Sequence, residues 1–217
     1  MIIKSKLRRA SLNQDASLAR TCTRTIEALL DLLKVGVKRS LKDYRFWLAP
    51  QTRVLLTIND EWANSSNGQL AVLSAANVLC RHFPILTHLD VLLNKDVPLL
   101  QRIPLVQSRS SLQAALKQLI TDIGSLCEVK FIDQARGGFD AILSIGCTDL
   151  NHEFKVTVYS DGWLTYILKG ESEEIPPSEN VNPIGAYVAS LLGCNEVLKL
   201  LIKKKICALF PNEAKSC

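Results

Sequence analysis

The amino-acid sequence predicts an α/β domain of the Rossmann-like type, with helices on both faces of a mostly parallel sheet. Leu, Ile, Val and Ala are abundant, whereas aromatic residues make up only 6% of the 217 residues. An aliphatic core of this kind is typical of helices packed on a parallel sheet. Apolar runs of strand length also alternate with segments of helical periodicity, which is the order of βαβ units. A C-terminal β-hairpin, a closing helix and an N-terminal helical appendage complete the predicted architecture.

The first βαβ unit is predicted in residues 53–94. Arg53–Asn59 (RVLLTIN) is a continuous apolar run, which suits a strand buried on both faces. The polar cluster Asp60–Gly68 follows as a turn. A helix from about Gln69 to His82 then leads to a second strand, His88–Asn94, through a crossover that we expect to be right-handed.

The remaining elements complete the predicted sheet. Ser110 or Ser111 caps a helix of about three turns, which Gly124 ends. The turn Ser160–Gly162 predicts a hairpin, and Pro183 opens the long closing helix. Further strands are predicted, in chain order, at Cys127–Ile132, Phe139–Ile145, Phe154–Tyr159 and Trp163–Leu168.

Positive charge is concentrated at the start of the chain. The formal net charge is +5, but residues 1–53 hold twelve basic and four acidic side chains, so their net charge is +8. Apolar residues at helical spacing predict an amphipathic helix over Ser17–Val37. We therefore expect a basic helical segment at residues 1–50 and a Rossmann-like domain at residues 51–217. The outer face of the predicted helix carries Arg20, Arg24, Lys34 and Lys38.

The seven cysteines indicate a reducing compartment. Their odd number, their wide spacing and the lack of a CxxC pair argue against a disulfide framework and against a zinc site. We therefore expect a cytoplasmic protein without a metal. The longest uncharged apolar stretch, Ile184–Cys194, is too short to span a bilayer, so we expect no membrane partner. The three histidines, His82, His88 and His152, show no catalytic signature and are expected to be structural.

Asn59–Gly68 is the candidate ligand loop. Ligands of doubly wound sheets bind beyond the carboxyl ends of the strands, so a nucleotide would lie at this strand-to-helix turn. A phosphate loop needs glycines, because the backbone must approach the phosphates closely. This turn has a single glycine and two carboxylates, which would repel a polyphosphate, so nucleotide binding is disfavoured. The positions that could still contact a ligand are Asn59, Asp60, Asn64, Asn67 and Gly68.

Asn182–Leu201 (NPIGAYVASLLGCNEVLKLL) resembles the closing helix of the adenylation domains of the ThiF/MoeB and ubiquitin-activating-enzyme family. In that family a Gly/Pro start and small residues precede an apolar-x-Glu-apolar-x-Lys-apolar-Leu finish, which Glu196 to Leu201 fill here. The hairpin Val156–Leu168 is similar to the strand pair before that helix in divergent bacterial members. The resemblance extends over about residues 50–206, and it implies a Rossmann-like fold.

The residues that give this family its chemistry are missing from the chain. NDEWANSSNG stands where the family has its Gly-rich loop, and Asn94 stands where an acidic residue would bind the ATP ribose. The Asn-x-x-Arg-Gln segment and the zinc CxxC pairs are absent, and no catalytic residue can be assigned. The resemblance therefore implies an inactive half that binds no cofactor and has no catalytic activity on its own.

An inactive half of this kind implies an active ThiF-like partner, in the same longer chain or in another subunit. That partner would bind ATP-Mg and act on a ubiquitin-like protein, which this chain could also help to bind. Two parts of the chain are candidates for the contact surface. They are the basic N-terminal helix and the small-residue strip of the closing helix, with Asn182, Gly185 and Ala189.

Two alternatives from other classes remain. The first is a degenerate Rossmann-fold enzyme that binds a nucleotide-type ligand at Asn59–Gly68. The second is a nucleic-acid-binding accessory protein that uses the basic N-terminal helix. Nucleic acid is disfavoured, because the basic residues are spread over the helix turns and the aromatic residues lie in the following segment.

Overall fold

The computed structural model of the chain describes residues 50–83, 85–101, 111–170 and 173–209, which belong to a compact unit that begins at Pro50. The predicted basic helix, with Arg20, Arg24, Lys34 and Lys38, lies outside the described residues. The division of the chain into a segment 1–50 and a domain 51–217 therefore stays a prediction.

Six strands form one sheet. In chain order they are β1 (Arg53–Ile58), β2 (His88–Leu93), β3 (Glu128–Ile132), β4 (Ala141–Ile145), β5 (Lys155–Asp161) and β6 (Leu164–Lys169). Their spatial order is β3-β2-β1-β4-β5-β6. The first five strands are parallel, and β6 pairs antiparallel with β5. This order is that of a Rossmann sheet, so the predicted Rossmann-like α/β fold with a mostly parallel sheet is confirmed.

The helices of the described residues are α1 (Asp60–Ala63), α2 (Ser66–Cys80), α3 (Leu112–Ile123) and α4 (Pro183–Leu209). Side chains cap three of them at their first turns, and in α1 the Asn59 side chain accepts from the N–H of Trp62. Ser65 accepts from the N–H of Gly68, and Ser111 accepts from the N–H of Ala114. Gly124 ends α3 with φ of 62°, a conformation that favours glycine.

Within the described residues, the helices that pack on the sheet lie on one face, whereas we predicted helices on both. α2 contacts both α3 and α4, and α4 covers β4, β5 and β6. The opposite face is covered by loops, whose Phe139 and Leu150 pack on Leu55, Leu92 and Ile142 of the strands. The reason is loop length, because residues 133–140 and 146–154 are too few for a crossover helix with its turns.

α4 is a core helix along much of its length. Gly185 and Gly193 bring its backbone close to the sheet, since a Cβ at Gly185 would lie 2.0 Å from the carbonyl oxygen of Gly162. On another side, Ser190 Oγ donates to the carbonyl of Ala71 in α2 at 2.7 Å. α4 is long and apolar enough to span a membrane by length and composition, but half of the qualifying window is buried in the domain. A buried helix of a globular core meets the same criteria, and the cytoplasmic location stays a prediction.

Candidate functional site

A crevice lies where the carboxyl ends of β1, β2 and β4 meet. The chain leaves β1 toward β2 on one side, whereas β4 lies on the other side of β1, so this is the topological switch point of the sheet. The crevice contains a cavity of about 440 Å³. Its lining residues are Thr57, Asn59, Asp60, Glu61, Leu92, Asn94, Cys147, Thr148, Asp149, Leu150 and Glu174.

The lining of this cavity is acidic. Four of the described lining side chains are carboxylates, those of Asp60, Glu61, Asp149 and Glu174, and none of the described lining residues is a lysine or arginine. Lys95 Nζ lies 3.8 Å from Asp60 Oδ2, but both side chains are exposed, and an exposed ion pair is weak. The cavity therefore disfavours a polyphosphate, because like charges repel strongly where water is partly excluded.

Trp62 fills the turn between β1 and α2. Its side chain is 1% exposed, and the indole Nε1 donates to the carbonyl of Ile175 at 3.0 Å. The ring meets Tyr159 edge to face, with centroids 5.5 Å apart. Gly146, which follows β4, lies so close that a Cβ there would come within 2.4 Å of the indole. A large apolar side chain thus occupies the turn in which dinucleotide-binding folds keep small residues.

Backbone N–H groups of the turn donate hydrogen bonds to side chains of the same turn. Asn59 Oδ1 accepts from the N–H of Trp62 at 2.8 Å, and Ser65 Oγ accepts from the N–H of Gly68 at 3.0 Å. A phosphate cradle needs such N–H groups for the ligand. Gly68 also has a packing role, because a Cβ there would lie 2.0 Å from the carbonyl oxygen of Trp62. The single glycine of the turn therefore allows close packing within the protein.

Residues 173–182, which we call the strap, are tied to this turn. Tyr159 Oη donates to the carbonyl of Glu173 at 2.6 Å, next to the contact between Trp62 and Ile175. Asn67 fixes the other end, because its Nδ2 donates to the carbonyl of Asn180 and its Oδ1 accepts from the N–H of Asn182, each at 3.1 Å.

The five predicted ligand-loop residues have different roles in the structure. Asn59 and Asp60 line the cavity. Asn64 instead donates from Nδ2 to the carbonyl of Asp60 at 2.8 Å in an exposed position. Asn67 and Gly68 are buried, and they hold the strap and the turn together. The structure therefore brings two of the five to the candidate site.

The predicted ligand loop did not include other residues of the crevice, although the resemblance had placed Asn94 at the ribose position. Asn94 directly follows β2, and Cys147 and Thr148 follow β4 after a single glycine. Because parallel strands end at one edge of the sheet, these positions could have been grouped from the strand predictions. Glu174 belongs to the strap and had no local signal.

Two buried cysteines and one histidine are engaged in the fold. Burial raises the pKa of the Cys80 thiol to about 12, and burial also raises the pKa of the Cys194 thiol, so neither is a ready thiolate nucleophile. His152 accepts from the N–H of Phe154 at Nδ1 and donates from Nε2 to the carbonyl of Phe139. In the part of the chain that the structure describes, no group of three His, Cys, Asp or Glu side chains could hold a metal ion.

The predicted contact residues of α4 require a correction. Gly185 and Ala189 are buried in their own domain, and the missing side chain of Gly185 allows α4 to approach the carbonyl of Gly162. They are therefore unavailable to a partner. Asn182 is half-buried, and its Oδ1 accepts from the N–H of Ile184 at 2.9 Å.

A known protein family matches most of the chain. The model of a family described as BilD N-terminal domain matches residues 53–211, which include the whole described sheet. BilD is associated with bacterial ubiquitin-like conjugation systems. No curated protein matches the chain.

Proposed function

The chain belongs to the family of BilD N-terminal domains, and on that premise we propose that it is a non-catalytic, ThiF-like adenylation domain. Family membership gives the chain a role in a bacterial ubiquitin-like conjugation-type pathway, with a partner in that pathway. The finer proposal is that the domain pairs with an active adenylating domain, which acts on a ubiquitin-like protein. The chain holds that partner in its working geometry.

The Trp62-filled turn is the observation that carries this proposal. The sheet order is that of a nucleotide-binding Rossmann fold, so the carboxyl edge beside β1 is where ATP would lie. There the turn is closed by Trp62, its N–H groups are used by Asn59 and Ser65, and the adjacent cavity has four carboxylates. A scaffold that keeps its fold while its phosphate site is closed supports a structural role rather than catalysis.

The cavity also favours one rival function. A volume of about 440 Å³ at the switch point suits a small ligand, so a degenerate Rossmann-fold enzyme could bind a nucleoside-type molecule without phosphates there. Asp60 would then contact the ligand, whereas Asn64 lies outside the lining. The nucleic-acid alternative rests on the basic N-terminal helix, which lies outside the described residues.

Titration calorimetry of the 217-residue chain with ATP-Mg and with adenosine tests the proposal. We expect no binding heat for ATP-Mg up to millimolar concentration, because the phosphate site is closed, and none for adenosine, because a non-catalytic domain has no nucleoside ligand. Micromolar binding of ATP-Mg would contradict the proposal. Adenosine binding that Asp60→Ala weakens and the control Asn64→Ala leaves unchanged would instead favour the rival.

A further inference from the structure

The outward face of α4 carries an exposed apolar patch. Its members within the helix, Ile184, Tyr187, Val188 and Leu192, each lie three or four residues from another of them. Their side chains therefore lie on one side of the first three turns of α4. Ser190 and Cys194 face α2, and positions 188 and 192 each lie about 160° around the helix from Ser190, on the side away from α2. The α4 patch consists of Trp163, Val181, Ile184, Tyr187, Val188 and Leu192, each more than a third exposed.

The α4 patch lies beside the edge of the sheet. β6 is the last strand in the sheet order, and no described strand pairs with its outer side. Thr165 Oγ1 donates to the carbonyl of Gly185 at 3.3 Å, and Lys169 Nζ lies 2.6 Å from the carboxylate of Glu196. These two contacts align α4 with β6 along the strand. Among the described residues, the apolar side chains of α4 therefore lie beside the outer strand of the sheet.

The size of the α4 patch is that of an interface. Taking about 200 Å² for a fully exposed large apolar side chain, the six exposed fractions amount to roughly 600 Å². Soluble monomers rarely expose a larger apolar patch than this, since about 300–600 Å² is the usual maximum. It is also most of the ~800 Å² that each partner contributes to a stable protein–protein interface.

We propose that the α4 patch and the edge of β6 form the docking surface for the active adenylating domain, an inference that rests on the proposed function. An interface around a two-fold axis uses the same elements on both sides, so a domain of like fold presents a matching helix face and strand edge. A second copy of this chain would present them too. Where the two domains share one chain, however, the linked domain has the higher effective concentration and occupies the surface first.

The test is calorimetric titration of the 217-residue chain with the part of a BilD-family protein that follows its N-terminal domain, produced separately and checked for folding by circular dichroism. We expect Leu192→Asp to weaken binding by about 30-fold or more, the size of an interface hot spot. Ile184→Asp is the second variant, in case the first does not fold. Leu100→Asp is the matched control, because Leu100 is 51% exposed and Leu192 43%, and it should bind within about twofold of wild type.

The outcomes separate this inference from the proposed function. Binding by the wild-type chain that both α4 variants leave intact would overturn the docking surface and leave the pairing itself standing. No binding by the wild-type chain would overturn both. Analytical ultracentrifugation tests whether a second copy of the chain occupies the surface instead. If the chain dimerises through the patch and stays dimeric when the adenylating part is added, the active adenylating domain is not the partner at this surface.

Discussion

Trp62→Ala is expected to destabilise the domain by about 3–5 kcal/mol, the cost of removing a large buried aromatic side chain. The indole is 1% exposed, packs on Tyr159 and Gly146, and donates to the strap at Ile175. Its loss leaves a cavity in the turn and frees one end of the strap. Urea unfolding followed by circular dichroism measures the free energy of unfolding.

Two further variants separate the contributions of Trp62. Trp62→Phe keeps most of the ring but loses the hydrogen bond to Ile175, so we expect a smaller cost of about 1–2 kcal/mol. Trp163→Ala is the matched control, since that side chain is 73% exposed and its loss should change stability by no more than about 0.5 kcal/mol. If Trp62→Ala were as mild as the control, Trp62 would not be the packed core of the turn.

The second large effect is expected at the amino-terminal end of β1. Arg53 Nε donates to Asp90 at 2.5 Å, and Asp90 is 1% exposed in the middle of β2. The guanidinium also lies 4.9 Å from the ring centre of Phe139, over the loop-covered face of the sheet. Arg53→Met would leave the carboxylate buried without this partner. We expect the free energy of unfolding to fall by about 2–3 kcal/mol at pH 7. This is less than the roughly 3–5 kcal/mol typical of a fully buried ion pair, because the Arg53 side chain is 36% exposed.

Compensation at the partner tests this interpretation. In Arg53→Met/Asp90→Asn the buried charge is gone, so we expect at least half of the lost stability to return. Lys95→Met removes the exposed lysine beside Asp60 and serves as the control, with an expected change below about 0.5 kcal/mol. Urea unfolding of the four proteins checks these values. A double variant less stable than Arg53→Met would show that Asp90 stabilises the domain through something other than Arg53.

Local sequence signals were sufficient for most of the fold. The strand β1 follows from a local run of apolar residues that are buried together. The two ends of α3 follow from its capping residues, Ser111 and Gly124. The start of α2 was predicted three residues late, at Gln69 instead of Ser66, because its capping serine stands in a run of turn-forming residues. Helices on both faces were predicted from the fold class, although the connections around β4 are too short to hold one.

The candidate site was less predictable, because its decisive contacts join distant parts of the chain. The missing glycines disfavoured a phosphate loop, which stays a prediction, and they did not predict that Trp62 would fill the turn. Asn67 looked like a ligand residue, yet it binds the strap through contacts 113 and 115 residues away. In α4, small residues recur at helical spacing on one side and larger apolar residues recur at helical spacing on the other. Only the packing against the sheet distinguishes the buried small residues from the exposed apolar ones.

The most direct test of the central claim is ATP–pyrophosphate exchange driven by the ubiquitin-like protein of a BilD system. The exchange is measured with the part of a BilD-family protein that follows its N-terminal domain, with and without the 217-residue chain. The account predicts no exchange by the chain alone and at least about a tenfold rise when the chain joins the adenylating part. Exchange catalysed by the chain alone, or exchange by the adenylating part that the chain leaves unchanged, would contradict a non-catalytic domain that supports an active partner.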